Sequence, residues 1–311
     1  MNQSDRNWLS AHFGQSVLFN EPMWRHTTFK IGGPVDALVT VGTEQEIRDI
    51  VLWARDRDHP VMILGEGSNL LVLDSGVQGL MLRLVDDFEV VELVPGANGS
   101  SATVRAGAAF LVRRLGKYAL DRGLAGLNFA LGIPGTVGGA IRTNAGAWGG
   151  CMADCISSIK ALDRHGDIVS LGRDQLRFSY RKLELDKEMI ILSGQFKLKS
   201  ADPEALREEA VRMQKQRRLS QPLSLPSAGC VFRNPPGQKA AGELIDQAGL
   251  KGLCVGEAEV SKKHANFIVN RGHAKASDVI DLMRKIQKAV LEGFGVDLEP
   301  EITIVGKETG S

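Results

Sequence analysis

Apolar residues along this chain recur at helical spacing in a few stretches and in short strand-like runs between them. After the extended segment Asp36–Val41, a stripe of Ile47, Ile50, Val51 and Ala54 has the i, i+3, i+4 repeat of a half-buried helix. Thr43-Glu44-Gln45-Glu46 precedes it with the hydroxyl and carboxylate of a capping box, and Pro60 closes it. Further helices are predicted over Phe110–Leu120 and the charged Pro203–Leu219, then over Ala240–Ala248 and Ser277–Phe294. In the last of these, Val279, Leu282, Met283, Ile286 and Val290 fall at core spacing. Pro134 is expected to take the first position of one more short helix. Strands are predicted at Val61–Leu64, Leu70–Leu73, Gly79–Leu84, Glu89–Val94, Ala102–Ala106, Ser157–Asp163, Ile168–Leu171 and Met189–Leu198. Phe267–Asn270 and Glu301–Val305 add shorter ones, and Pro95–Ser100 and Arg164-His165-Gly166 read as turns. Composition shifts near Ser200. The pattern describes an α+β protein with many antiparallel connections.

The 311 residues correspond to about two domains. A net charge of +1 gives no global basic field for nucleic acid, and no apolar run approaches the ~20 residues that span a bilayer. Met1–Ser10 is polar and has no signal-peptide core. These features point to a cytoplasmic enzyme or binding protein. Cys151, Cys155, Cys230 and Cys254 form no CxxC pair, so neither a metal site nor a disulfide framework is expected. Glycine is 35 of 311 residues, about 11% against a usual ~7%, and it clusters.

The clusters carry the candidate chemistry. Gly65-Glu66-Gly67-Ser68-Asn69 follows a strand but leads into another strand-like run, with neither the glycine spacing nor the helix of a dinucleotide fingerprint. It reads equally as a backbone nest for an anion, with Ser68 and Asn69 adding donors, or as a tight turn. Gly132-Ile133-Pro134-Gly135-Thr136-Val137-Gly138-Gly139-Ala140 offers closely approachable backbone, and Asn144-Ala145-Gly146-Ala147 extends the same wall of small residues. Close helix–strand packing is the structural alternative. Two such cradles suggest a pyrophosphate-containing cofactor.

Taken with later segments, the cradles resemble those of the UDP-N-acetylenolpyruvoylglucosamine reductases. The resemblance runs through Thr28–Pro34, Gly65–Asn69, Gly132–Ala140 with Asn144–Ala147, Ser179-Tyr180-Arg181, Ser227–Phe232 and Glu299-Pro300-Glu301, almost the whole chain in family order. It implies an FAD-binding region of the vanillyl-alcohol-oxidase type in two α+β subdomains, plus a smaller C-terminal α+β substrate domain. The implied division is 1–87 joined by a C-terminal strand at 299–311, then 88–200, then 201–298. Asn144–Gly150 continues directly, without an inserted tyrosine-bearing loop, as in the compact second subtype of the family.

The resemblance further implies non-covalent FAD, NADPH as electron donor and UDP-N-acetylglucosamine enolpyruvate as substrate, in peptidoglycan precursor synthesis, with no nucleic-acid or membrane partner and no required oligomer. Gly65, Glu66, Gly67, Ser68, Asn69, Gly132, Pro134, Gly135, Thr136, Gly138, Gly139, Asn144 and Gly146 fall at the cofactor. Arg181 matches the catalytic arginine, whose fork suits an enolate-type intermediate. Glu301 matches the catalytic glutamate, which requires a raised pKa to hold a proton. Cys230 stands where the family commonly has a serine proton donor. An unperturbed thiol pKa near ~8.5 would make it an easier donor but one liable to oxidation. Tyr180, Arg218 and Asn234 match substrate-contacting positions, with Lys215, Arg217, Arg233 and Lys239 close by, and His264 reads mainly as structural. The competing readings are an oxygen-using sugar or alcohol oxidase of the same cofactor fold, and a non-catalytic nucleotide-sugar or flavin-binding protein. Leu64–Asn69 lacks the histidine or cysteine that tethers flavin in many such oxidases.

Overall fold

The computed structural model describes residues 1–94 and 101–306. The turn expected at Pro95–Ser100 and the end of the 299–311 segment lie outside them. The capping box at Thr43 forms as expected, with Thr43 Oγ1 accepting from Glu46 N–H and the Glu46 carboxylate accepting from Thr43 N–H. The helix it starts, Glu44–Arg55, buries Ile47, Ile50, Val51, Trp53 and Ala54. It covers a four-stranded sheet in the order Val17–Pro22, Pro34–Val41, Val77–Leu84, Val61–Ile63. The first pair is antiparallel and the other two are parallel.

The second sheet is antiparallel throughout, in the order Ile168–Gly172, Ile156–Leu162, Ile190–Ser200, Ser101–Gly107, Val91–Val94. Its long central strand alternates buried and outward positions along much of its length, as a strand with one face on the core does. Helix Val112–Leu120 buries Val112, Leu115 and Ala119 in the same continuous core. The α+β class read from the sequence is therefore the observed one. The N-terminal helix Gln3–Phe13 and the strand Val17–Pro22 are additions the periodicity did not supply.

Beyond helix Pro203–Ser220 the chain builds a three-stranded antiparallel sheet, Cys254–Val255, Ala258–Val260 and Ile268–Asn270, with helices Ala241–Gln247 and Ala276–Phe294. Its core is shared, because Phe29, Ile31, Leu71 and Leu73 pack with Val231, Phe232, Leu244, Ile286 and Ile302. The strand Thr303–Val305 returns to pair in parallel with Leu70–Val72. Asp74, just past that strand, caps the long helix by accepting from Ala276 N–H at 2.8 Å and Ser277 N–H at 3.0 Å. Glu301 is thereby carried to the end of the first glycine-rich loop. Among the described residues, no helix is long and apolar enough to cross a membrane.

Candidate active site

Arg181 sits at the tip of a hairpin, strands Arg177–Ser179 and Lys182–Glu184, whose two-residue turn is Tyr180-Arg181. Its φ of 56° is left-handed, a conformation that is costly for a side-chain-bearing residue and so needs outside support. Asn144 supplies part of it, donating from Nδ2 to Ser179 O at 3.0 Å while its Oδ1 accepts from Ala153 N–H. Arg181 Nη1 donates to Gly146 O at 2.8 Å. Asn144 and Gly146, expected at the cofactor, thus also hold the arginine. Tyr180 is 53% exposed, its ring 5.4 Å from the Arg181 guanidinium carbon.

Glu301 approaches Arg181 from the last part of the described chain. Its N–H donates to Val231 O at 2.7 Å, and its carbonyl accepts from Asn69 Nδ2 at 3.4 Å. The carboxylate oxygen Oε1 lies 2.8 Å from Arg181 Nε. That nitrogen is buried and has no aligned acceptor, so the contact is one of charge against charge. Burial raises the Glu301 carboxyl above its ordinary range, and Arg181, then Arg233, pull it partly back. The raised pKa expected of this residue is present.

Cys230 is held against the segment Asn266-Phe267. It bridges to Phe267, while Asn266 Oδ1 accepts from Phe232 N–H at 2.9 Å and Asn266 Nδ2 donates to Phe232 O at 2.8 Å. The expectation of an ordinary thiol pKa is corrected here. Burial first, then the Glu301 charge, push it up to about 12, with Arg181 opposing. The group stays a protonated thiol at neutral pH, and the oxidation liability inferred from the sequence shrinks with its thiolate fraction.

The two glycine-rich loops come together. Ser68 Oγ donates to Pro134 O at 3.0 Å, and a Cβ on Gly65 would lie 2.8 Å from Thr136 Oγ1. Glu66 Oε2 accepts from Gly135 N–H at 2.5 Å. Gly67, at φ 62°, sits against His26 O, which a side chain there would strike. Pro134 is not at the start of the helix, which is Val137–Arg142 with Thr136 as its N-cap. The reason is local pairing: Val137 N–H donates to Phe110 O and Gly138 N–H to Ala108 O, so the loop docks on 108–111 before it coils. Those amides are not free for a phosphate. Gly138 is there for packing, since a Cβ would lie 2.9 Å from Ala108 Cβ. Gly139 has room, with only Thr136 Oγ1 at 3.5 Å.

Among the basic residues the structure separates neighbours that the sequence left together. Arg218 is exposed and borders a groove of about 440 Å³ with Leu223, Leu225, Lys262 and Lys263. Arg217 instead turns inward, with Nη1 2.6 Å from where a Cβ on Gly132 would stand. Burial lowers its pKa, and among the described residues no carboxylate pairs with it. A half-buried cation without a partner is costly to leave alone. Sequence position gave no means of choosing it over Arg218. Asn234 spends its Oδ1 on Ala241 N–H at 3.0 Å, leaving its amide nitrogen. His264 packs edge-on against Phe267 at 4.8 Å, and burial lowers its pKa.

Residues 35–172 match the family model for an FAD binding domain, and residues 221–305 match that for the C-terminal domain of UDP-N-acetylenolpyruvoylglucosamine reductase. A UDP-N-acetylenolpyruvoylglucosamine reductase of Desulfosudis oleivorans is 42% identical, over 99% of this chain and 100% of its own. One from Pediococcus pentosaceus is 42% identical over 98% and 99%. The crystal structure of the Thermus caldophilus enzyme of that name, 38% identical, superposes with a TM-score of 0.77 over 93% of this chain and 97% of its own.

Proposed function

The chain belongs to the UDP-N-acetylenolpyruvoylglucosamine reductase family of FAD-dependent oxidoreductases, and we propose that it reduces UDP-N-acetylglucosamine enolpyruvate to UDP-N-acetylmuramate with NADPH as donor. The observation that carries this reading is the Arg181–Glu301 pair at 2.8 Å with the Cys230 thiol within reach of both charges. The loops fit FAD: two glycine-rich turns meet edge to edge, with Gly65 packed on Thr136 and Ser68 on Pro134, and Gly139 leaves the backbone approachable beside the Thr136 hydroxyl.

Held by the two glycine-rich loops, FAD would supply the hydride chemistry that links NADPH to the enolpyruvyl group. The chain's own residues handle charge and proton. Addition of hydride to the vinyl carbon leaves negative charge spread into the substrate carboxylate, and the positive charge of Arg181, held in place by Gly146 O and Glu301, stabilises it. Glu301, its carboxyl raised by burial, holds the arginine in place and in its acid form donates to the same developing charge. Cys230 gives its thiol proton to the adjacent carbon. A thiol near 12 remains a capable donor here, because an enolate-type carbon is a far stronger base than a thiolate.

Arg218 borders the groove and suits the nucleotide portion of the substrate, Asn234 keeps the substrate contact that its position implies, and Arg217 suits a phosphate close to the second loop. Residues 1–87 with 299–311, then 88–200, form the two cofactor subdomains in this reading, with 201–298 the substrate domain. The direct run from Asn144 to Gly150 supports the compact subtype.

Product analysis tests the proposal. One NADPH consumed per product, with a product two mass units heavier than the enolpyruvyl substrate, is the expected result. NADPH consumed without that product would overturn it.

A further inference from the structure

A carboxylate is an odd occupant for a loop that cradles an anion, yet Glu66 stands between Gly65 and Gly67. Its Oε2 accepts from Gly135 N–H at 2.5 Å, and Arg113 Nη1 donates to both of its oxygens at 2.9 Å. Gly135 belongs to the second loop and Arg113 to helix Val112–Leu120, so one side chain joins separate pieces of chain. Gly135 is held from its other end too, its carbonyl accepting from Val112 N–H at 3.0 Å. Its φ of 134° suits glycine, and the Ser68 Oγ contact to Pro134 O runs alongside. Glu66 is 24% exposed at the side chain and Arg113 47%.

We propose that Glu66 is a positioning residue that sets the spacing of the two glycine-rich loops, and that Arg113 is the counter-charge that lets a carboxylate do this beside a bound diphosphate. The inference rests on the reading of these loops as the FAD site. Two properties of Glu66 are needed and they are separable. Its oxygen accepts the Gly135 N–H, a charge-assisted bond of the stronger kind. Its negative charge would repel the cofactor's phosphates unless Arg113 matched it. Glutamine keeps the acceptor and drops the charge, alanine removes both, and loss of Arg113 leaves the charge bare.

The test is FAD release from the full-length, FAD-loaded protein, followed as the rise of free flavin fluorescence on dilution, with rebinding titrations. Glu66→Ala is expected to weaken FAD binding about tenfold and Glu66→Gln by no more than about threefold. Arg113→Met alone is expected to weaken it about tenfold, and the Glu66→Gln/Arg113→Met pair to return to within about threefold of wild type. Thermal unfolding of each variant without flavin checks that the fold is kept, and if Glu66→Ala is unstable, Glu66→Met, which keeps the side chain's length but has no oxygen for the Gly135 N–H, takes its place with the same expected loss and the same overturning result. FAD held as tightly or more tightly by Glu66→Ala would overturn the positioning role. A double variant no better than Arg113→Met would overturn the counter-charge role. Wild-type protein that cannot hold FAD would overturn the cofactor reading instead.

Discussion

Arg181 Nε and Glu301 Oε1 stand 2.8 Å apart, although one comes from a mid-chain hairpin turn and the other from the segment after Glu299-Pro300. The meeting is prepared at both ends. Asn144 and Gly146 hold the hairpin, and Val231 and Asn69 hold the Glu301 backbone. Two asparagine side chains from the segments of small residues, Asn69 and Asn144, therefore help to aim the charged pair.

If the pair acts on the enolpyruvyl carboxylate, its loss falls on one half-reaction. Arg181→Met and Glu301→Gln are expected to leave flavin reduction by NADPH within about twofold. Both should slow reoxidation by the enolpyruvyl substrate about 100- to 1000-fold, the scale of losing a donor to developing charge. Stopped-flow absorbance under anaerobic conditions separates the two. Equal losses in both steps would remove the assigned role.

The pH dependence has a definite sign. Burial raises the Glu301 carboxyl, so its acid form survives to higher pH than an ordinary glutamate's. The rate of reoxidation by substrate should fall as pH rises through that elevated pKa, and Glu301→Gln should flatten this limb. A thiol near 12 adds no limb of its own around neutrality. A rate that climbs over the same range would assign Glu301 the role of base.

Cys230 should behave as a protected thiol. At pH 7.5 a pKa of about 12 leaves a thiolate fraction on the order of 10⁻⁴ to 10⁻⁵, whereas Cys254 is exposed. Peptide mapping after brief iodoacetamide treatment should find Cys254 modified and Cys230 untouched. Cys230→Ser should keep substrate turnover, and Cys230→Ala should suppress reoxidation by substrate while sparing flavin reduction. Rapid alkylation of Cys230 would contradict its raised pKa.

Arg217 and Arg218 should separate in ligand affinity. Neutralising Arg217, half-buried against Gly132 and without a carboxylate partner, is expected to weaken phosphate-bearing ligands about tenfold. Arg218→Gln, at an exposed position, should cost less. Ligand titrations followed by the flavin spectrum measure both, and the reverse order would return the role to Arg218.

Asp74 caps helix Ala276–Phe294 from outside it, so Asp74→Ala should lower stability by about 1–2 kcal/mol in denaturant unfolding. Asp74→Asn should lose less. No change would mean that the cap is replaced by water.

Much of the fold was legible because its signals are local. The Thr43 capping box and the Ile47–Ala54 stripe specify a helix without help from the rest of the chain. Helix Gln3–Phe13 escaped because only Asp5 and Leu9 are buried on it, too thin a stripe for periodicity to register. Pro134 misled because proline favours a first helical turn, while pairing of 135–138 with 108–112 delayed the coil. The charged pair was legible only as motifs. Nothing near Arg181 in sequence points to Glu301, since long-range contacts through Asn144, Asn69 and Val231 create that proximity. The Cys230 pKa was hidden for the same reason, because burial and the Glu301 charge belong to the folded chain.

The most direct test is an anaerobic absorption experiment on the purified protein. Yellow flavin bands that bleach with NADPH and return on adding UDP-N-acetylglucosamine enolpyruvate are the predicted result. Bands that bleach but return only when air is admitted would contradict it and move the chain to the oxidases.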